Sequence, residues 1–287
     1  PVKPKISIII PCLNEERYLP KLLSDLKKQS FTDFETIVVD GQSTDSTIKQ
    51  ITQFSSLSPQ VISTSTQNAS HQRNLGAKKA KGQWLIFFDA DIRINPSFLS
   101  KTISYLDKNP VDCFTYFIEP DSESKADHLI CSTTNVGLVV SNVLKHPLGV
   151  GAGLGLKKTV FDKVKGFDED LQLSEDHQLI KKIITNGYTF HTFTSPKIAI
   201  SFRRFRKEGT LNLLRKYAKI HLNTIINYPK IVPEDDYPML GGKYYHPSAI
   251  SSKAISQNFS AQFGQLTKAQ QQKLIKLIRA WQHKMFN

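Results

Sequence analysis

The chain has 287 residues, 39% of them hydrophobic and 22% charged, which is the composition of an ordinary globular protein with length for one large domain or two smaller ones. No apolar run approaches the roughly 18 residues needed to span a bilayer, and Pro1-Val2-Lys3-Pro4-Lys5 lacks the apolar core of a secretory leader, so a cytoplasmic location is expected. Three cysteines, Cys12, Cys113 and Cys131, without CxxC spacing exclude a disulfide framework and a zinc cluster. The net charge of +13 is concentrated at one end, because residues 201–287 hold 15 Lys and Arg against 4 Asp and Glu. Such a region attracts anions, with diphosphates, anionic lipid and nucleic acid all eligible.

Taken in chain order, Ile6-Ser7-Ile8-Ile9-Ile10 is a β-branched run ending at Pro11, and Leu19, Leu22, Leu23 and Leu26 follow at helical spacing. Glu35 to Val39 reads as a second strand, and Asp40-Gly41-Gln42-Ser43-Thr44-Asp45 supplies turn chemistry with a helix cap at Ser43 or Asp45. A third strand fits Val61-Ile62-Ser63, and the spacing predicts a helix from about Ser70 to Lys81 that stops at Gly82. Trp84 to Phe88 is a buried strand that delivers Asp89-Ala90-Asp91. Strands alternating with helices imply right-handed crossovers and a mostly parallel sheet, with the three loops meeting at the carboxyl ends of its strands.

Asp89 and Asp91 carry the first chemical signal. Alternate strand residues share a face, so two carboxylates one residue apart converge, and a Mg2+ or Mn2+ ion with donor phosphates would relieve their repulsion. An isolated Asp-x-Asp reads more readily as a solvated strand end, and only context reverses that.

Beyond Pro110, Val111 to Glu119 reads as a strand. Residues 126–145 read as a helix burying Leu129, Val136, Val139, Val140 and Val143. The alternating glycines from Gly149 to Gly155 lack the helix-opening spacing of a dinucleotide fingerprint and read as a strand or loop lining a cleft. Ser174-Glu175-Asp176 precedes a helix with Leu179, Ile180, Ile183 and Ile184 inward and Gly187 at its end. A helix near Leu211 to Ile226, a loop from Pro229 to Pro247 and an amphipathic basic helix from Thr267 to Phe286 complete the chain. That last helix reads either as docking on the protein's own body or as lying on an anionic membrane surface.

These motifs resemble the family 2 glycosyltransferases of the GT-A fold over about residues 5–200. Ser7 to Glu15 is similar to the family's opening nucleotide-binding strand and loop, and Val38 to Thr47 to its second motif, with Gln42 and Ser46 standing where glycine is common. Arg73-Asn74-Leu75-Gly76-Ala77, Gly82 and Asp89-Ala90-Asp91 match the third block, and Ser174-Glu175-Asp176 the acidic pair whose second member is the catalytic base. The resemblance implies an α/β fold with a Rossmann-like, mostly parallel sheet flanked by helices. Residues 1–110 would form its nucleotide-sugar half, 111–200 its acceptor half, and 201–287 a basic, largely helical extension.

It also implies a metal-dependent, inverting transfer of a sugar from a nucleotide-sugar, UDP-linked by expectation, to a hydroxyl of a lipid-linked or glycan acceptor. Pro11, Leu13, Glu15, Asp40, Arg73, Asp89 and Ala90 would bind the donor, and Arg203 or Arg204 its diphosphate or a phosphorylated acceptor. Asp91 with Asp89 would hold Mn2+ or Mg2+, while Asp176 beside Glu175 would act as base. Asp40 reads alternatively as a turn aspartate, Arg73 and Arg203-Arg204 as solvated basic residues, and Glu175-Asp176 as acids favoured by a helix start. Arg203-Arg204-Phe205 departs from the Gln-x-x-Arg-Trp signature of processive synthases, which favours addition of one sugar per encounter. A nucleotidyltransferase and a basic nucleic-acid-binding module remain as alternatives. The first is weakened by the absence of a glycine-rich basic loop after the first strand, the second by the absence of a recognition helix, RNP motif or zinc finger.

Overall fold

The computed structural model describes residues 3–143, 147–171 and 174–209. Residues up to Phe202 belong to one unit, and Arg203–Gly209 belong to a second that is described by itself. The expected elements at Leu211 to Ile226, Pro229 to Pro247 and Thr267 to Phe286 lie outside the described residues.

The first unit is built on a seven-stranded sheet. Its strands are β1 (Ile6–Cys12), β2 (Phe34–Asp40), β3 (Gln60–Ser63), β4 (Trp84–Phe88), β5 (Cys113–Pro120), β6 (Gly153–Lys157) and β7 (Phe190–Ile200), in the spatial order β3-β2-β1-β4-β6-β5-β7. All pairings are parallel except those of β6 with β4 and β5. Six strands therefore run one way, and β1, β2 and β4 deliver their following loops to one edge. The order reverses at β1, which has β2 on one side and β4 on the other, and such a switch point opens a crevice at the carboxyl ends. Strands β1 and β4 are buried at every position, as the unbroken apolar runs require of strands covered on both faces.

Helices α1 (Leu19–Lys27), α2 (Thr47–Ile51), α3 (Ala69–Lys79), α4 (Phe98–Leu106), α5 (Lys125–Val143), α6 (Lys158–Lys163) and α7 (Glu175–Thr185) belong to this unit, and α8 (Arg203–Glu208) to the second. No described helix is long and apolar enough to cross a membrane. The three cysteines are free and buried.

Several sequence expectations are corrected by packing. Helix α3 ends at Lys79 with Ala80 already extended, so Gly82 does not cap it. A Cβ at Gly82 would lie 2.5 Å from the Ser7 backbone nitrogen, and glycine is needed there for close approach to β1. Helix α2 starts at Thr47 after Ser46, which makes no side-chain cap; Asp45 supplies the acceptor instead, its Oδ1 taking the Thr47 N–H at 2.9 Å, and Ser43 takes no part. Helix α5 turns Cys131, Asn135, Leu138 and Ser141 inward, whereas Leu129 is exposed, Val143 is 76% exposed, and Val136, Val139 and Val140 are only half-buried. The reason is a polar requirement that an apolar count does not see. The β5–β7 register slips between Tyr116 and Ile118, and Asn135 satisfies both backbone groups of Ile118 at 2.8 Å each. Helix α4 and strand β7 were not anticipated from the sequence.

The glycine alternation is largely a packing device. Added Cβ atoms would stand 2.3 Å from Ile180 at Gly149, 2.7 Å from Ile198 at Gly153 and 2.1 Å from the Phe114 ring at Gly155. That ring is fully buried and stacks on Phe193, with centroids 4.5 Å apart and planes within 5°. Gly155→Ala is accordingly expected to cost about 1–3 kcal/mol by overpacking, read as a melting point lower by several degrees. Gly137→Ala, where a Cβ meets nothing within 4 Å on an exposed helix face, should instead raise stability by up to about 1 kcal/mol in the same thermal denaturation.

Candidate active site

Three loops at the carboxyl edge share one geometric feature. Asn14, Gln42 and Ser174 take φ of 54°, 59° and 60°, in the left-handed region that side chains occupy at a cost. Gln42 thus adopts the backbone that a glycine would hold more easily, which is the physical content of its departure from the family pattern.

The first two loops are stitched together. The Asn14 N–H donates to Ser43 Oγ at 2.7 Å and Thr44 N–H to Asn14 Oδ1 at 2.7 Å, while Glu15 N–H donates to Thr47 Oγ1 at 2.8 Å. Glu16 and Asp45 complete the seam, since Ser46 N–H reaches Glu16 Oε2 at 2.9 Å and Glu16 N–H reaches Asp45 Oδ2 at 3.2 Å. Pro11 and Glu15 are buried and Leu13 half-buried beside this seam. Asp40 is 2% exposed, and its carboxylate accepts the Ser43 N–H at 3.0 Å, the Ser43 hydroxyl at 2.5 Å and the Cys12 thiol at 3.7 Å. It therefore closes its own turn. Ionised carboxylate offers about four acceptor positions, so these three contacts do not exhaust it.

Helix α3 crosses beneath the loops and carries most of the connections. Its Gln72, which sequence reasoning missed, donates to Cys12 O and Val39 O at 3.0 Å each and ties the ends of β1 and β2. Asn74, also missed, holds the approach to α7, donating to Phe167 O at 3.0 Å and to Glu169 Oε1 at 2.8 Å and accepting the Phe167 N–H at 2.9 Å. The signal that could have revealed both is the sparse apolar content of Ala69–Lys79. A helix packed on a sheet with few apolar side chains must place polar ones inside, and those must find partners.

Arg73 is 4% exposed, and one terminal nitrogen donates to Glu175 Oε1 at 2.7 Å, the other to Asp89 Oδ1 at 2.8 Å. Its guanidinium lies 5.5 Å from the centroid of Phe167. Both terminal nitrogens expected for a ribose or diphosphate are thus occupied by carboxylates. Burial opposes the charge of Arg73, yet Asp89 and Glu175 together keep it firmly protonated. Asp89 sits at the mouth with its side chain 40% exposed, and Ala90 behind it is buried. The Asp89 N–H donates to Ala152 O at 3.3 Å, and a Cβ on the neighbouring Gly151 would stand 3.1 Å from Asp176 Oδ2. Two routes, one through Arg73 and one through the glycine run, therefore bring the acids of β4 and α7 together across more than 80 residues of chain.

Asp176 is 13% exposed in its side chain and accepts the backbone N–H of His177 at 2.8 Å, with the His177 imidazole Nδ1 at 3.3 Å. Burial works to raise its proton affinity, but the adjacent His177 overrides this and holds Asp176 at about 2. Burial likewise opposes the charge on His177, and Asp176 more than compensates, so the imidazole is shifted up. For Glu175, burial raises the affinity, Arg73 pulls it down and the charge of Asp176 adds to the rise. The two acids thus part: burial leaves Glu175 raised, while His177, a neighbour that the sequence reading did not remark, holds Asp176 low.

Among the described residues no group of three or more His, Cys, Asp or Glu is arranged to hold a metal ion. Asp89 and Asp91 lie in the turn after β4 and not on the strand, so strand alternation is not what relates them; both partly exposed, they fit a different requirement, that of a hard cation taking one or two carboxylates and completing its shell with phosphate oxygens and water. Arg203 and Arg204 open α8 in the second unit, where Arg204 Nε donates to Glu208 at 2.7 Å.

Comparison with known proteins agrees with this architecture. Residues 7–136 match the model described as Glycosyl transferase family 2. An uncharacterized glycosyltransferase of Haemophilus influenzae is 26% identical over 88% of this chain and 92% of its own length. The poly(ribitol-phosphate) beta-N-acetylglucosaminyltransferase TarS of Staphylococcus aureus is 34% identical over 38% of this chain, a stretch that spans 20% of TarS. In structure, TarS 1-349 in complex with UDP superposes with a TM-score of 0.57 at 22% identity, covering 77% of this chain and 69% of that one. The mannosyltransferase PcManGT of Pyrobaculum calidifontis, in complex with GDP-Man and Mn2+, gives a TM-score of 0.60 at 18% identity over 98% and 85% of the two chains. At these identities the two structures bear on the fold alone. Motif order, a glycosyltransferase relative of nearly the same extent and the shared sheet agree: the chain has the GT-A fold, and its residues 7–136 carry the match to the family 2 glycosyltransferases.

Proposed function

We propose that this protein is a metal-dependent, inverting glycosyltransferase that moves a sugar from a UDP-linked donor to a hydroxyl of a lipid-linked or glycan acceptor, one sugar per encounter. The observation that carries the reading is the meeting of Asp89 and Glu175 on one guanidinium, with Asp176 next in the chain. Donor-side and acceptor-side acids thereby share a single crevice.

Asp40 and the seam of Pro11, Leu13 and Glu15 form the base and ribose end, where a carboxylate accepting an imide N–H favours uracil. The neighbours leave the base to be tested, since TarS is seen with UDP and PcManGT with GDP-Man. Asp91, assisted by Asp89, would hold Mn2+ or Mg2+, which when bound supplies positive charge to the diphosphate. Asp176 takes the proton of the acceptor hydroxyl as that oxygen bonds to the anomeric carbon and the bond to the diphosphate oxygen breaks on the opposite face, which inverts the configuration. Arg203 and Arg204 are proposed for the diphosphate or a phosphorylated acceptor. A cytoplasmic protein resting on anionic lipid through Thr267 to Phe286 completes the reading; liposome binding lost on truncation at Thr267 supports that element, and equal binding with and without it removes it.

Thermal denaturation with UDP, GDP and TDP, with and without Mn2+ or Mg2+, tests the donor. UDP with a divalent cation should raise the melting temperature most, and no shift with any of the three refutes the reading. Asp176→Asn should keep the UDP-induced shift while lowering transfer at least about 100-fold; full retained turnover removes Asp176 as base. Because the imidazolium of His177 holds Asp176 low, deprotonation of His177 strengthens the base. Transfer should rise with pH through the raised His177 value and then level off, whereas His177→Asn should abolish that rise.

A further inference from the structure

A buried arginine is held in place only if its charge and its directional N–H groups are met, and Arg73 is met from two sides. Its partners have different jobs in the proposed reaction. Asp89 directly follows β4 and its side chain is 40% exposed, while Glu175 starts α7, is 11% exposed in its side chain and directly precedes Asp176. The planar guanidinium fixes the separation and angle of two groups at once, which the single point of a lysine ammonium does not. Phe167 covers its face, and Asn74 from the next position of α3 anchors Phe167 in turn. Arg73 Nε is buried and has no acceptor among the described residues, so the side-chain hydrogen bonds of the guanidinium run to Asp89 after β4 and Glu175 at the start of α7. Both terminal nitrogens of Arg73 already donate to carboxylates of the protein, so a diphosphate would have to displace Asp89 or Glu175 to be bound by it.

We propose that Arg73 is a positioning residue: it locks the donor-side carboxylate Asp89 to the base-side carboxylate Glu175 and so sets where Asp176 stands relative to the sugar. The proposal rests on the glycosyltransferase reading above. Asp89 is gripped through one oxygen, which leaves its exposed side toward the donor, and Glu175 acts as the handle by which the first turn of α7 is oriented. Arg73 contributes to rate without contributing to donor affinity, since displacing a reacting group by about 1 Å costs on the order of 100-fold.

The test uses the full chain and three variants, Arg73→Lys, Arg73→Gln and Glu175→Gln. UDP affinity is measured by calorimetry in Mn2+, Mn2+ alone by electron paramagnetic resonance, and turnover as release of UDP or GDP from whichever sugar nucleotide the wild type hydrolyses. The expected result is a kcat about 100-fold lower in each variant that folds, with UDP affinity within about threefold of wild type. Arg73→Gln should also bind Mn2+ alone about tenfold more tightly, because a positive charge beside Asp89 is gone, and Arg73→Lys should not. UDP affinity weakened more than about tenfold with kcat retained overturns the proposal and makes Arg73 a direct donor ligand. Weaker Mn2+ binding by Arg73→Gln also overturns it. If Arg73→Gln does not fold, Arg73→Lys and Glu175→Gln decide, and wild-type kcat in either overturns it. A wild type that binds neither UDP nor GDP fails the glycosyltransferase reading instead, before any variant is compared.

Discussion

A guanidinium withdrawn from water and closed between two carboxylates is the interaction on which the rest of this structure depends. Removing an arginine from solvent is costly, and the cost is offset only when its charge and its N–H groups are answered with good geometry. Asp89 and Glu175 give that answer from opposite sides of the crevice, one at the end of β4 and one at the start of α7. The requirement to satisfy Arg73 therefore also fixes the separation between the turn after β4 and the start of α7. Fold stability and site geometry are here one constraint.

Helix α3 makes that constraint possible by using polar side chains where most sheet-packing helices use apolar ones. Gly76 lets its backbone settle onto β1 and β2, where a Cβ would lie 2.5 Å from Ile9. At that short range Gln72 reaches the carbonyls that end β1 and β2, Arg73 reaches two acids, and Asn68, His71 and Asn74 hold the segment from Phe167 to Glu169. Buried polar groups of this kind specify one arrangement, because each wrong arrangement leaves a donor or acceptor unmet. On the far side, Arg93 grips Asp25 through two N–H groups, and its backbone bridges Ala199. The segment after Asp91 is thereby pinned to α1 and β7, and the paired acids stand on a rigid mount.

The match of residues 7–136 to the family 2 glycosyltransferases, with a glycosyltransferase relative of nearly the same extent, weighs against the nucleotidyltransferase that the acidic pair left open, which would use similar acids on a similar sheet. The second acidic pair, Glu175 and Asp176, opens α7, whose first turn is tied to Asp89 through Arg73. His177 gives this pair an asymmetry, with Asp176 held ionised and Glu175 bound into the arginine bridge.

Much of this was legible in the residues alone. Apolar runs of five to seven residues ending in Pro11, Asp40 and Asp89 declare parallel strands and the edge where their loops meet, because period and burial are local properties that the chain carries in its own order. The acids at Asp89, Asp91, Glu175 and Asp176 were nameable for the same reason, as short motifs in a fixed succession. Strand β7, the inward face of α5 and the purpose of the glycine run were not legible, since each answers to a partner far away in the chain: a slipped register at Ile118, the Phe114 ring, the side chain of Ile180. Arg73 marks the boundary most clearly. Its presence and its charge are read directly from the sequence, but whether that charge faces a ligand or two of the protein's own carboxylates depends on which groups folding brings within 3 Å, and only the tertiary structure decides that.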